Sequence, residues 1–60
     1  MKTITKKDLV ALGYGPGQAV NIIKQAKDVM VGKGFGYYKN PRLGRVPVEV
    51  VEEILGIEIN

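Results

Sequence analysis

The side chains with the most distinctive chemistry share one face of a long predicted helix. At about 100° per residue, five polar residues of this helix share one arc, and the opposite, apolar arc consists of Ala19, Ile22, Ile23, Ala26, Val29 and Met30. The polar arc consists of Gln18, Asn21, Lys24, Gln25 and Asp28. Asn and Gln side chains can pair with adenine, and Lys can pair with guanine or with phosphate. We therefore interpret this face as able to contact base edges, the alternative being an ordinary solvated helix surface.

A basic loop supplies the second group of candidate residues. Aromatic and apolar residues at 35–39 and 43–46 predict the two strands of a β-hairpin. Lys39, Arg42 and Arg45 lie at the tip and flanks of this hairpin. Such cations bind phosphate groups in many proteins, and the alternative is a cluster that only increases solubility. Their position on a protruding loop favours phosphate binding.

Basic and acidic residues are separated along the chain. The 60-residue sequence has a net charge of +3. Residues 1–45 contain nine basic and two acidic side chains, a net charge of +7, whereas residues 46–60 contain four glutamates and no basic residue, a net charge of −4. Such a chain can turn a basic surface towards a polyanion and an acidic element away from it. Lys6, Lys7 and Lys33 are further candidates for phosphate contacts.

The residue types that are missing exclude most enzyme chemistry. Sixty residues form one small domain without room for a deep substrate cleft. The sequence contains no Ser, His, Cys or Trp, so Ser–His and Cys–His nucleophilic pairs and the usual zinc sites cannot form. We therefore expect no enzyme activity, no cofactor and no metal. Because no segment approaches the roughly 20 apolar residues of a membrane span or the pattern of a signal peptide, we expect a cytoplasmic protein.

Capping and breaking residues predict the first two helices, which must position the candidate face. Thr5 and Asp8 form an approximate capping box for a helix over residues 6–12. Pro16 suits the first turn of the second helix, and the glycines that follow residue 31 end it. Since the connection between these helices is short, they form an αα unit.

The third predicted helix carries apolar and acidic residues on opposite sides. Pro47 opens it and Gly56 closes it. Its core-facing stripe comprises Val48, Val51, Ile54 and Leu55, with Val50 at the edge. Residues 57–60 alternate like a short strand or an apolar tail. Together these elements predict an α+β fold, a single winged helix-turn-helix domain over residues 1–60, with three helices and a two-stranded β-hairpin between helices 2 and 3.

The order of these segments resembles that of a known group of DNA-binding proteins. The segment TKKDLVALG at 5–13, the helix through residue 27, residues 37–45 and the segment VPVEVVEEIL at 46–55 look like phage and transposon excisionases and the related MerR-type heads. The whole chain is also similar to short proteins encoded beside integrases on bacterial mobile elements. The resemblance implies a recombination directionality factor or a small regulator that binds and bends DNA with help from an integrase. The second helix is longer than is usual in excisionases.

The resemblance also implies roles for individual residues. It places four residues of the second helix in the major groove, namely Gln18, Asn21, Lys24 and Gln25. It places the cations of the hairpin, or wing, at the minor groove or its phosphates, namely Lys39, Arg42 and Arg45. Three residues at the start of the first helix would contact the DNA backbone, namely Thr5, Lys6 and Lys7. The implied partners are double-stranded DNA and a site-specific recombinase, without a membrane, for a protein that is monomeric or self-associates weakly on DNA.

Two other functions would use the same residues differently. Residues 11–23 are similar to a helix-hairpin-helix, in which glycine-rich backbone amides bind phosphate without base specificity. A plain turn between helices is the ordinary explanation of those glycines. Alternatively, the chain is a protein-interaction module whose acidic third helix, together with Ile57 and Ile59, docks an integrase or a second copy.

Overall fold

The computed structural model describes residues 2–59, which form a small winged helix-like α+β fold with three helices and a two-stranded antiparallel sheet. The elements in chain order are β1 (Thr3–Thr5), α1 (Lys6–Ala11), α2 (Pro16–Gly32), a single 3-10 turn (Gly36–Lys39), β2 (Arg45–Pro47) and α3 (Val48–Leu55). The predicted fold class and the three helices are therefore confirmed. Met1 and Asn60, the ends of the predicted domain, lie outside the described residues.

The predicted hairpin between the second and third helices is wrong, because the sheet pairs different segments. β1 pairs with β2 in antiparallel register, with Ile4 opposite Val46 and Thr5 opposite Arg45. Ile4 and Val46 are both 0% exposed, so this pairing buries two branched apolar side chains together. The predicted first strand instead forms the 3-10 turn, in which Tyr38 N–H donates to the Phe35 carbonyl at 3.1 Å. Burial of the Ile4 and Val46 side chains outweighs the β-propensity of the aromatic segment.

The start of α1 shows the capping box that the sequence predicts. The Asp8 N–H donates to Thr5 Oγ1 at 3.4 Å, and the Thr5 N–H donates to Asp8 Oδ2 at 3.0 Å. Thr5 is also the last residue of β1, so the strand passes directly into the helix. After the C-cap at Leu12, Gly13 has a φ of 107°. This left-handed conformation favours glycine and allows the chain to turn towards α2.

α2 is the central helix and contacts both of the other helices as well as β2. Its buried residues are those of the predicted apolar arc, namely Ala19, Ile22, Ile23, Ala26 and Met30. Val29 belongs to the same arc but is 37% exposed. Pro16 occupies the first turn, as predicted, where its missing N–H has no intrahelical partner to lose.

α3 closes the core and holds the C-terminal segment. Val48 and Val51 are buried as predicted, but Val50, which the sequence places at the edge of the stripe, is buried too. Gly56 ends the helix with a φ of 68°. The Ile59 N–H donates to Glu52 Oε2 at 2.6 Å, and Ile59 packs against the core. Residues 57–59 therefore form an apolar tail that folds back on α3, and not a strand.

Candidate nucleic-acid interface

Two adjoining hollows with basic linings lie beside α2. The first has a volume of about 580 Å³ and lies between α2 and the segment that precedes β2. Its basic residues are Lys6, Lys24, Lys27 and Lys39, and one acidic residue, Asp28, also lines it. The apolar part of its lining comprises Val20, Ile23, Val31, Tyr38, Pro41 and Leu43. The first hollow thus combines an apolar lining with four ammonium groups.

The second hollow has a volume of about 540 Å³ and lies next to the two-stranded sheet. Its lining consists of Thr5, Lys6, Lys7, Arg42, Leu43, Gly44 and Arg45. Lys6, Leu43 and Gly44 line both hollows, so the two are continuous. We call the basic residues of the two hollows together the basic surface.

The register of the sheet explains why distant cations meet on the basic surface. Arg45 lies opposite Thr5 in the antiparallel pair. Lys6 and Lys7 follow Thr5 directly at the start of α1, and both side chains are exposed. Pairing of β1 with β2 therefore brings the N-terminal cations next to Arg45 and to the loop that carries Arg42. The Thr5 hydroxyl donates to Asp8 Oδ2 at 3.1 Å, so its first role is to cap α1.

Seven of the ten residues predicted to contact DNA line the two hollows. They are Thr5, Lys6, Lys7, Lys24, Lys39, Arg42 and Arg45. The three amide residues predicted to contact bases, Gln18, Asn21 and Gln25, are exposed on α2 but line neither hollow. Lys33, predicted to contact phosphate, is exposed and also lines neither hollow.

Helical geometry places the amide residues beside the basic surface and not inside it. At 100° per residue, Asn21 and Gln25 lie about 60° and 100° from Lys24 in one direction around α2. Lys27 lies about 60° from Lys24 in the opposite direction, where the helix faces the first hollow. On the circumference of α2, Lys24 therefore lies between the amide residues and Lys27. Gln18 has a further role, since its Oε1 accepts the Gly15 N–H at 3.4 Å near the start of α2.

Lys27 is a residue of the site that the sequence analysis missed. Its Nζ donates to the backbone carbonyls of Asn40 and Leu43, each at 2.7 Å. On the helical wheel Lys27 belongs neither to the apolar arc nor to the polar arc, but lies between them on the side of Ile23. A cation at the boundary of the apolar arc was the feature of the sequence that could have identified it as a site residue.

The two neighbouring tyrosines have different environments. Tyr38 is half-buried, packs against the core and lines the first hollow. Tyr37 is 70% exposed, and its ring meets that of Tyr38 edge to face at a centroid distance of 5.3 Å. Both tyrosines lie on the 3-10 turn, and Tyr38 is the more buried of the two.

The glutamates of the C-terminal quarter do not line the two hollows. Glu49, Glu53 and Glu58 are exposed, and no glutamate lines either hollow in the described part of the chain. Glu52 differs from the others because its carboxylate accepts the Ile59 N–H. Among the described residues, Asp28 is therefore the one acidic side chain in the lining of the two hollows.

Comparison with known proteins gives a family but no activity. A family model described as "Domain of unknown function (DUF3173)" matches residues 2–59. No curated protein and no solved structure matches the chain significantly. Within residues 2–59, none of the helices has both the length and the apolar character needed to cross a membrane.

Proposed function

The chain belongs to the family described as Domain of unknown function (DUF3173), and we propose that it binds double-stranded DNA as an excisionase-like accessory factor or small regulator of a mobile element. The observation that carries this proposal is the convergence of basic residues from three separate parts of the chain. Lys6 and Lys7 come from α1, Lys24 from α2, and Arg42 and Arg45 from the segment around β2. A concentration of cations on one side, with glutamates elsewhere, is the electrostatic pattern of a protein that binds a polyanion.

In this proposal the two faces of α2 have different roles. The cations of the basic surface other than Lys27, whose ammonium is bonded to two backbone carbonyls, contact phosphates and supply most of the affinity, which does not depend on base sequence. Asn21 and Gln25, exposed beside Lys24, contact base edges and supply selectivity. α2 has 17 residues, or about 25 Å at 1.5 Å per residue, and a major groove about 12 Å wide admits a helix.

The proposal extends to the surroundings of the protein. The protein binds DNA as a monomer or with weak self-association and carries out no chemical reaction itself. Its protein partner is a site-specific recombinase. DNA of a bacterial mobile element lies in the cytoplasm, so we propose that location too.

Titration of duplex DNA binding against salt concentration tests the proposal. If about five phosphates are neutralised, log K should fall against log salt with a slope of about −4.5. Fluorescence anisotropy of a labelled duplex, measured between 50 and 200 mM salt, gives this slope directly. A slope near zero, or no binding at the lowest salt concentration, would overturn the proposal.

Docking of a protein partner on α3 is the second candidate function. Four exposed side chains support it. They are Glu49 and Glu53 on α3, and Ile57, which is 42% exposed, and Glu58 in the segment that follows α3. The Glu49→Ala, Glu53→Ala double variant should leave DNA affinity unchanged if α3 faces away from DNA. If the chain is chiefly an interaction module, the same variant should weaken binding to a site-specific recombinase of a bacterial mobile element, while loss of Arg42 should not.

A further inference from the structure

One lysine of α2 ties down the loop that carries Arg42. We call residues 40–44, between the 3-10 turn and β2, the basic loop. Lys27 Nζ donates to the carbonyls of Asn40 and Leu43, both at 2.7 Å. We propose that Lys27 is a positioning residue, which holds the basic loop against α2 and thereby places the Arg42 guanidinium on the basic surface. The importance of placing Arg42 there rests on the proposed DNA-binding function.

The internal hydrogen bonds of the basic loop shape it but do not attach it to the helix. Asn40 Oδ1 accepts the Arg42 N–H at 2.9 Å, and the Asn40 carbonyl accepts the Leu43 N–H at 3.1 Å. These bonds form a tight turn over four residues. The same Asn40 carbonyl also accepts from Lys27, so one oxygen joins the turn to α2. Lys27 therefore bonds to both ends of a preformed turn.

Apolar packing holds the basic loop only weakly, which leaves the attachment largely to Lys27. Pro41, Arg42 and Gly44 are exposed, and Leu43 is half-buried. A loop with few buried apolar contacts opens readily unless other interactions retain it. Hydrogen bonds from an ammonium group are stronger than those between neutral groups. The two carbonyls are neutral, so they orient the Lys27 ammonium without cancelling its charge.

Cleavage by an arginine-specific protease measures the attachment without DNA. Arg42 and Arg45 are the two arginines of the sequence, so cleavage occurs within the basic loop or within β2. In Lys27→Met the initial rate of cleavage after Arg42, divided by that after Arg45, should rise at least about tenfold, which is near the low end of the loss expected for two hydrogen bonds. Lys27→Arg should restore the ratio because a guanidinium can donate to both carbonyls, and cleavage after the added arginine within α2 does not enter the ratio.

Two comparisons separate attachment from general destabilisation. Lys24→Met removes the same charge one turn earlier on α2 and should leave the cleavage ratio at the wild-type value. A variant that is merely less stable is cut faster at both arginines, because β2 is exposed when the whole domain unfolds. An unchanged ratio in Lys27→Met would therefore overturn the proposal, even if that variant unfolds more easily.

A double-mutant cycle tests whether Lys27 acts through Arg42 in DNA binding. Lys27→Met and Arg42→Ala should each weaken duplex binding about tenfold, and the double variant should also lose only about tenfold. A hundredfold loss in the double variant would mean that Lys27 contacts DNA independently, which would overturn the positioning role. If the wild type does not bind duplex DNA, the proposed function fails, while the cleavage ratio still decides whether Lys27 holds the loop.

Discussion

Removing the two arginines of the basic surface should change the salt dependence of DNA binding by a calculable amount. Each neutralised phosphate contributes about −0.9 to the slope of log K against log salt. If Arg42 and Arg45 each neutralise one of about five phosphates, the Arg42→Ala, Arg45→Ala variant should show a slope of about −2.7 in place of about −4.5. Raising salt from 50 to 200 mM would then weaken binding about 40-fold in the variant and about 500-fold in the wild type.

The chain offers a control with the same loss of charge. Lys2 and Lys33 are exposed and line neither hollow, so Lys2→Ala, Lys33→Ala also lowers the net charge from +3 to +1 but leaves the basic surface intact. Fluorescence anisotropy titrations on one duplex at four salt concentrations give the slope for each protein. The control should retain a slope of about −4.5. If both double variants lose the same slope, binding depends on net charge alone, and the argument from a localised basic surface is refuted.

Two further predictions concern the sheet and the choice between DNA-binding modes. Ile4→Ala should lower the free energy of unfolding by about 2–5 kcal/mol, because Ile4 is 0% exposed, whereas Val10→Ala, at a side chain 41% exposed, should cost less than about 1 kcal/mol. Urea unfolding followed by circular dichroism measures both, and similar losses would contradict the burial of β1. Asn21→Ala, Gln25→Ala should reduce the preference for the cognate duplex over a scrambled one by about tenfold, whereas Gly17→Ala should not alter DNA affinity. A methyl group at Gly17 meets no atom within 4 Å, so a loss of affinity in that variant would instead support the helix-hairpin-helix mode.

Local chemistry was sufficient to predict the helices of this protein. The capping box of α1 joins Thr5 and Asp8, which are three residues apart in the sequence. The end of α3 at Gly56 depends on the left-handed conformation of that single residue. The apolar arc of α2 follows from the helical repeat, so five of its six predicted members are buried. Each of these features can be recognised within one or two turns of chain.

The candidate site was predictable in its residue types but only in part in its arrangement. The separation of positive and negative charge along the sequence indicated which residues could form a basic lining, and in the described part of the chain no glutamate lines the hollows. The sequence could not show that the amide residues of α2 lie on the far side of Lys24 from the hollows. That division depends on which side of α2 the basic loop covers, and the loop has no periodic pattern from which its position could be inferred.

The sequence by itself determined the helices, their caps, the net charge of each part of the chain and the absence of Ser, His and Cys side chains. Tertiary structure alone decided the partner of β2, since pairing of Ile4 with Val46 joins opposite ends of the chain and depends on burial that no local pattern specifies. It also decided the role of Lys27, whose hydrogen-bond acceptors are backbone carbonyls. Every residue carries such a carbonyl, so only folding determines which ones an ammonium group will meet.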